Sequence, residues 1–209
     1  ATRRLYAFAT QQRVTLNTLV QAAWLLLLQR HTGQRSVAFG ATVAGRPTQL
    51  AGAQDMLGLF INTLPVIQTL DPQQALGDWL RQLQAYNLAI RDFEHTPLAD
   101  IQRWAGQGGQ GLFDSIIVFE NHPVDRALRG EQDGELTFAE VGSGGVTNFP
   151  MDLMVSATEQ GLEVEYLYLR ERFTAEQVER IRAQLEGLLA QLPLDAACLI
   201  GDIGLPGAQ

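Results

Sequence analysis

The chain has 209 residues, about one and a half times an average domain, so it is expected to fold as a single domain or two closely packed lobes. Apolar residues make up 46% and charged residues 18%, with 20 Gly and 8 Pro, which excludes disordered, collagen-like and coiled-coil classes. The net charge of -8 sets 23 acidic side chains against 15 basic ones, and all the basic ones are Arg. Without Lys there is no phosphate-loop lysine, no Schiff base to pyridoxal phosphate and no kinase-type strand lysine. The negative field and the scattered arginines also exclude nucleic acid as an expected partner. The longest apolar run, residues 22–28, is far short of the roughly 18 residues of a membrane span. Cys198 is the only cysteine, which rules out an internal disulfide or a thiolate zinc site and fits a reducing cytoplasm. The start, Ala1-Thr-Arg-Arg, has neither a secretion signal nor an initiating Met, as expected of an excised fragment.

In chain order, the first strong element is a buried helix over residues 16–30, with Thr15 as N-cap and Gly33 as C-cap; Leu16, Leu19, Val20, Ala23 and Leu27 leave it little polar face. Residues 36–43 read as an inner strand, and Gly45-Arg46-Pro47 as a break. In residues 61–67, Pro65 cannot donate to a ladder, so this strand belongs at an edge or starts there. Asp71-Pro72 reads as a helix opening, followed by Leu76, Trp79, Leu80, Leu83, Asn87 and Ile90 at helical spacing. Thr96-Pro97 opens a shorter helix through Trp104. Residues 114–121, 135–141, 151–157 and 162–170 read as four strands, the last two joined as an antiparallel hairpin through Glu159-Gln-Gly161. A closing helix over 175–192 carries Thr174 as cap, Gln177 completing a capping box, and Phe173 against Val178 as a staple. The expected fold is α/β, of the two-layer α+β sandwich type: a mixed sheet with helices on its face.

Few residues carry obvious chemistry. Gly106-Gln-Gly-Gly-Gln-Gly111 matches a dinucleotide fingerprint formally, but follows a helix and precedes a strand, the reverse of what a phosphate cradle needs, so it reads as a connector. Gly142-Ser-Gly-Gly145 reads as a turn, and neither Ser115 nor Ser143 sits in a nucleophile elbow. His31, His95 and His122 lack ligand spacing, so no metal site is expected; His31 falls in the last turn of a helix, where it complements the carbonyl end. Asp92, Glu94 and Asp100 read as a solvated helix end. The informative residues are polar ones in apolar context: Gly45-Arg46-Pro47, Asn62-Thr63 between Phe60, Ile61 and Leu64, and Glu120-Asn121-His122. Buried amides and hydroxyls need partners, so Asn62 and Thr63 read either as backbone braces or as the wall of a tunnel.

Four stretches carry a resemblance: Val14-Thr-Leu-Asn-Thr-Leu-Val-Gln-Ala-Ala-Trp24, Val37-Ala-Phe-Gly-Ala-Thr-Val-Ala-Gly-Arg-Pro47, Met56-Leu-Gly-Leu-Phe-Ile-Asn-Thr-Leu-Pro65 and Phe113-Asp-Ser-Ile-Ile-Val-Phe-Glu-Asn-His-Pro123, extended by Thr147-Asn-Phe-Pro150 and the closing helix. Together they resemble the C-terminal lobe of nonribosomal peptide synthetase condensation domains, over nearly the whole of residues 1–209. The resemblance implies a chloramphenicol-acetyltransferase-like lobe, one arm of a V whose central tunnel admits the phosphopantetheine arms of two carrier proteins. It places Gly58, Asn62 and Thr63 near that tunnel, Arg46 as a brace of a floor loop following Pro47, and Glu120 and Asn121 at the start of a latch spanning residues 119–146. The family's His-His-x-x-x-Asp-Gly signature does not occur in this sequence. The catalytic His is therefore expected on a missing N-terminal lobe, this chain supplies no catalytic residue, and alone it is expected to be inactive.

The implied reaction joins carrier-bound aminoacyl or peptidyl thioesters by amide-bond formation, by positioning and oxyanion stabilisation as much as by any base. No cofactor is expected on the chain itself, since phosphopantetheine arrives on the carrier. The implied partners are the missing lobe and the peptidyl carrier and adenylation domains of a bacterial synthetase, with neither nucleic acid nor membrane. A fragment of this kind is expected to leave apolar surface uncovered and to self-associate. The alternatives are half of an epimerisation or heterocyclisation domain, or a noncatalytic carrier-docking module.

Overall fold

The computed structural model describes residues 2–44, 60–106, 111–120, 147–157 and 161–205. It opens with helix α1, Thr2–Gln12, which the sequence reading did not anticipate. Leu5, Phe8, Ala9 and Gln12 give α1 a buried stripe at helical spacing. Its end lacks the usual glycine signal because Arg13 takes the left-handed conformation itself, at φ 58°. The Arg13 amide donates to the Thr10 carbonyl and the Val14 amide to the Ala9 carbonyl, the paired closure of a Schellman motif.

Helix α2, Leu16–Thr32, is capped as expected: the Thr15 hydroxyl accepts from the Thr18 amide, and Gly33, at φ 67°, donates to the Gln29 carbonyl. Leu19, Val20, Ala22, Ala23, Leu25 and Leu26 are fully buried, so the helix is covered on nearly all sides. It contacts α1, strand β1 (Ser36–Ala44), helix α3 (Leu76–Ile90) and helix α5 (Ala175–Gln191). Each buried Leu or Val side chain there contributes about 1.5–3 kcal/mol of transfer free energy.

A five-stranded mixed sheet lies beneath these helices, in the order β2-β1-β3-β4-β5, with β2 Ile61–Thr69, β3 Ser115–Glu120, β4 Met151–Ala157 and β5 Leu162–Tyr168. β1 runs antiparallel to β2 and parallel to β3, β3 and β4 are parallel, and β4 and β5 form the antiparallel pair expected from Glu159-Gln-Gly161. Pro65 sits on β2, an edge strand, where a missing amide is tolerated. Val37, Phe39, Ala41, Val66, Ile117, Met151, Leu153 and Val155 all join the helix-side core. By the two-residue period of a strand, their neighbours Gly40, Thr63, Ile116, Asp152 and Glu165 point to the opposite face.

Helix α3 begins four residues later than Asp71-Pro72 suggested. Asp71 caps a turn instead, its carboxylate accepting from the Gln73 amide and its carbonyl from the Gln74 amide. The first α3 amides, of Leu76 and Gly77, donate to the Cys198 and Ala196 carbonyls, so a segment remote in sequence caps the helix. Gly77 eases that approach, since a Cβ there would lie 3.2 Å from the Ala196 carbonyl oxygen, tighter than ordinary contact. The shorter helix, α4, Leu98–Trp104, follows Pro97 as expected and packs against β2. Helix α5 has its complete capping box between Thr174 and Gln177. After α5 the chain folds back over α2, where Arg30 holds it: its guanidinium donates to the carbonyls of Ile200 at 2.9 Å and Ile203 at 2.8 Å. The expected strand at residues 135–141 lies outside the described residues.

The left-handed Arg13 supplies a stability prediction. An L side chain in that region costs roughly 1–2 kcal/mol, part of which glycine returns through its greater unfolded-state entropy. Arg13→Gly should therefore raise the unfolding free energy, by about 0.5–1 kcal/mol, in urea titrations followed by tryptophan fluorescence.

Candidate functional site: the second face of the sheet

The face of the sheet turned away from α2 is built in rows. Pro65, Gly40, Ile116, Asp152 and Leu167 lie side by side across all five strands. In the next rows Thr63 pairs with Thr42, Met154 with Val118 and Glu165, and Ser156 with Glu120 and Glu163. The face is thus apolar over its central strands and acidic toward one corner.

Gly40 is its low point. A Cβ there would lie 2.4 Å from Cε2 of Phe113 and 2.7 Å from the Thr63 methyl, so the Phe113 ring rests almost directly on the backbone of β1. Phe149 stacks on Phe113, with ring centroids 5.3 Å apart and planes at 27°. The Phe149 amide donates to the Thr147 hydroxyl at 3.2 Å, and that hydroxyl donates in turn to the Asp152 carboxylate, 2.7 and 2.5 Å from its two oxygens. Asp152 is only 2% exposed. Burial pushes its carboxyl above the ordinary value of 3.8, and the Thr147 hydrogen bond offsets only part of that rise.

The structure separates the two residues that the sequence paired. Asn62 turns to the helix side, where its amide nitrogen donates to the Glu94 carbonyl at 2.9 Å and the Thr96 carbonyl at 2.7 Å, while its oxygen accepts from the Thr63 amide. It ties β2 to the turn that precedes α4. Thr63 faces the opposite way, beside Gly40 and Phe113. Glu120 is exposed at the end of β3. Arg46, Gly58 and Asn121 lie outside the described residues, as do the region after Pro47 and all of residues 119–146 beyond Glu120.

Other polar groups are engaged elsewhere. Ser115 accepts from the Trp24 indole at 3.0 Å, buried on the helix side. His31 bonds Gln184 at 2.7 Å between α2 and α5, His95 is exposed, and His122 is outside the described residues. Asp100 pairs with Arg103 on the surface of α4. Among the described residues no three His, Cys, Asp or Glu side chains are grouped to hold a metal ion, and no helix is long and apolar enough to cross a membrane. Among the described residues the second face offers shape, a stacked aromatic pair and the buried carboxylate of Asp152.

Sequence reasoning did not single out Gly40, Phe113, Phe149, Thr147 or Asp152 as site residues. A signal existed for two of them: a lone Gly inside a strand pattern marks close approach of another group, and an Asp between Met151 and Leu153 is a polar residue in an apolar strand.

The five-stranded mixed sheet, with the described helices packed against its core face, defines an α/β fold. The Condensation domain family model matches residues 1–207, and the chain belongs to the condensation-domain family. A linear gramicidin synthase of Brevibacillus parabrevis is 40% identical over 205 residues, 98% of this chain and 3% of that protein. Chondramide synthase of Chondromyces crocatus is 44% identical over 165 residues, 78% of this chain and 4% of that protein. Among solved structures, the first condensation domain of the calcium-dependent antibiotic synthetase, in complex with a substrate analogue, aligns at TM-score 0.76 and 18% identity, covering 98% of this chain and 44% of that one. A four-domain nonribosomal peptide synthetase bound to AMP and glycine aligns at TM-score 0.78 and 19% identity, covering 95% of this chain and 16% of that one. The chain therefore spans 3% to 4% of these two synthases and under half of the solved condensation domain.

The raised Asp152 value carries a pH prediction. A carboxyl whose folded value exceeds its unfolded one favours folding in its protonated form; that stability is fully present below pH 3.8 and is lost as pH rises through the folded value. Asp152→Asn removes the titration and keeps an acceptor for Thr147. The difference in urea midpoint between variant and parent should move in the variant's favour from acid to neutral pH; a pH-independent difference would contradict the assignment.

Proposed function

We propose that this chain is the C-terminal lobe of a nonribosomal peptide synthetase condensation domain, contributing tunnel wall to a reaction that joins carrier-bound aminoacyl or peptidyl thioesters by amide-bond formation. The observation that carries the reading is coverage: 98% of this chain aligns with 44% of a solved condensation domain, while the His-His-x-x-x-Asp-Gly signature is nowhere in its sequence. The proton-handling His then resides on the other lobe, and Thr63, with Gly58 and Arg46, belongs to the wall and floor of the shared tunnel. Asn62 serves this wall from behind, through its bonds to the turn before α4. Glu120 and Asn121 begin the segment that crosses to the other lobe.

Phosphopantetheine on carrier proteins delivers both substrates, so the lobe holds no cofactor of its own, and its partners are the N-terminal lobe and the carrier and adenylation domains of a cytoplasmic synthetase. An epimerisation or heterocyclisation half is the less supported reading, because Phe60-Ile-Asn-Thr-Leu-Pro65 follows the condensation pattern. Apolar residues left exposed here, among them Ile61, Ile67 and Trp104, favour self-association of the isolated lobe.

The test is reconstitution with two aminoacyl carrier proteins, followed by mass spectrometry of the thioester-bound product. The chain alone should form no dipeptide, and the parent protein with both lobes should form it. Dipeptide formation by residues 1–209 alone would overturn the reading. In light scattering, the isolated chain should run larger than its 23.0 kDa monomer.

A further inference from the structure

The stacked pair over Gly40 is held more firmly than packing alone requires. Phe113 lies against a strand residue without a side chain, Phe149 covers Phe113, and Phe149 is fixed through its amide to Thr147, which is fixed in turn to a buried carboxylate. Among the described residues the Asp152 carboxylate has one hydroxyl partner; a buried carboxylate so held is costly to keep, and Asn or an apolar residue at position 152 would be cheaper for folding alone. The arrangement stands on the face opposite the helix-side core, among Ile116, Val118 and Met154. Phe113 is buried, whereas Phe149, stacked on it, is only half-buried.

We propose that Asp152 and Thr147 are positioning residues that lock Phe149 onto Phe113 over Gly40, and that this aromatic plate is a specificity-determining wall for an apolar side chain of the carrier-bound substrate. The inference rests on the reading of the chain as a condensation-domain lobe and assigns that reading a named wall. Gly40 sets the depth of the plate, because any Cβ at that position pushes Phe113 outward. The clamp sets its tilt, because the Thr147 hydroxyl meets the Phe149 amide and the Asp152 carboxylate at once. The Phe149 ring, backed by the buried Phe113, presents an apolar surface that stacks on aromatic side chains and packs on aliphatic ones, and offers nothing to a charged one.

The experiment has two arms. In the parent synthetase, competing acceptors bearing Ala, Leu, Phe or Asp side chains are loaded on the carrier and their kcat/KM values compared. Thr147→Val, which keeps shape and loses the hydroxyl, should reduce the preference for Phe or Leu over Ala by about tenfold, and Thr147→Ser should retain the parent's preference. Phe149→Leu, which leaves the clamp atoms in place, should lower the preference for Phe in particular, and it carries this arm should Thr147→Val fail to fold. An unchanged order of acceptors in Phe149→Leu, with the parent active, overturns the wall. In the second arm the isolated chain is observed by methyl NMR. The Thr63 methyl beside Phe113 should resonate upfield, and Thr147→Val should move it while Thr147→Ser does not. An unmoved Thr63 methyl overturns the clamp. A parent synthetase that forms no amide bond with any acceptor defeats the functional reading and the wall with it, and the NMR arm then decides the clamp by itself.

Discussion

The burial of one helix organises the rest of the molecule. α2 has too little polar circumference to face water, so it must be enclosed, and α1, α3, α5 and β1 enclose it. That requirement decides which face of the sheet is the core face. Because strand side chains alternate, once Phe39, Ile117, Leu153 and Val155 are drawn toward α2, the residues between them are committed to the other side. The candidate site is the complement of the core: Gly40, Ile116 and Asp152 face away from α2 because their neighbours face toward it.

Two long-range devices hold this arrangement. The carbonyls of Ala196 and Cys198 cap α3, and the Arg30 fork gathers the carbonyls of Ile200 and Ile203, so the segment following α5 is fastened to both α2 and α3. A planar fork suits this task better than an ammonium would, because it reaches several carbonyls at fixed angles. On the other face the Thr147 hydroxyl plays a comparable part over a shorter span, joining the entry of β4 to the stacked rings over Gly40.

Local chemistry was legible where the chain announced itself. Thr15 and Gly33 bound α2, Thr174 and Gln177 open α5, Pro65 marks an edge strand, and the short Glu159-Gln-Gly161 link gives an antiparallel pair. It was illegible where the deciding partner is far away or the usual residue is missing. α1 ends on Arg13 in place of a glycine, so its Schellman closure left no compositional trace. α3 starts at Leu76 because its capping carbonyls come from residues 196 and 198, and nothing near Asp71 could reveal that. Asn62 and Thr63 looked like one polar pair, yet adjacent strand residues point to opposite faces, and the core settled which went where.

The class of fold, the order of most helices and strands, and the family resemblance all follow from the residues read in order, because caps, turn residues and hydrophobic period are short-range properties written in neighbouring positions. The constellation of Gly40, Phe113, Phe149, Thr147 and Asp152 exists only once the chain is folded. These five come from three separate stretches, and what unites them is strand register, which places Gly40 beside Ile116 and Ile116 beside Asp152. Register is a long-range pairing, fixed by which side chains α2 draws into the core, and no local window of sequence contains it.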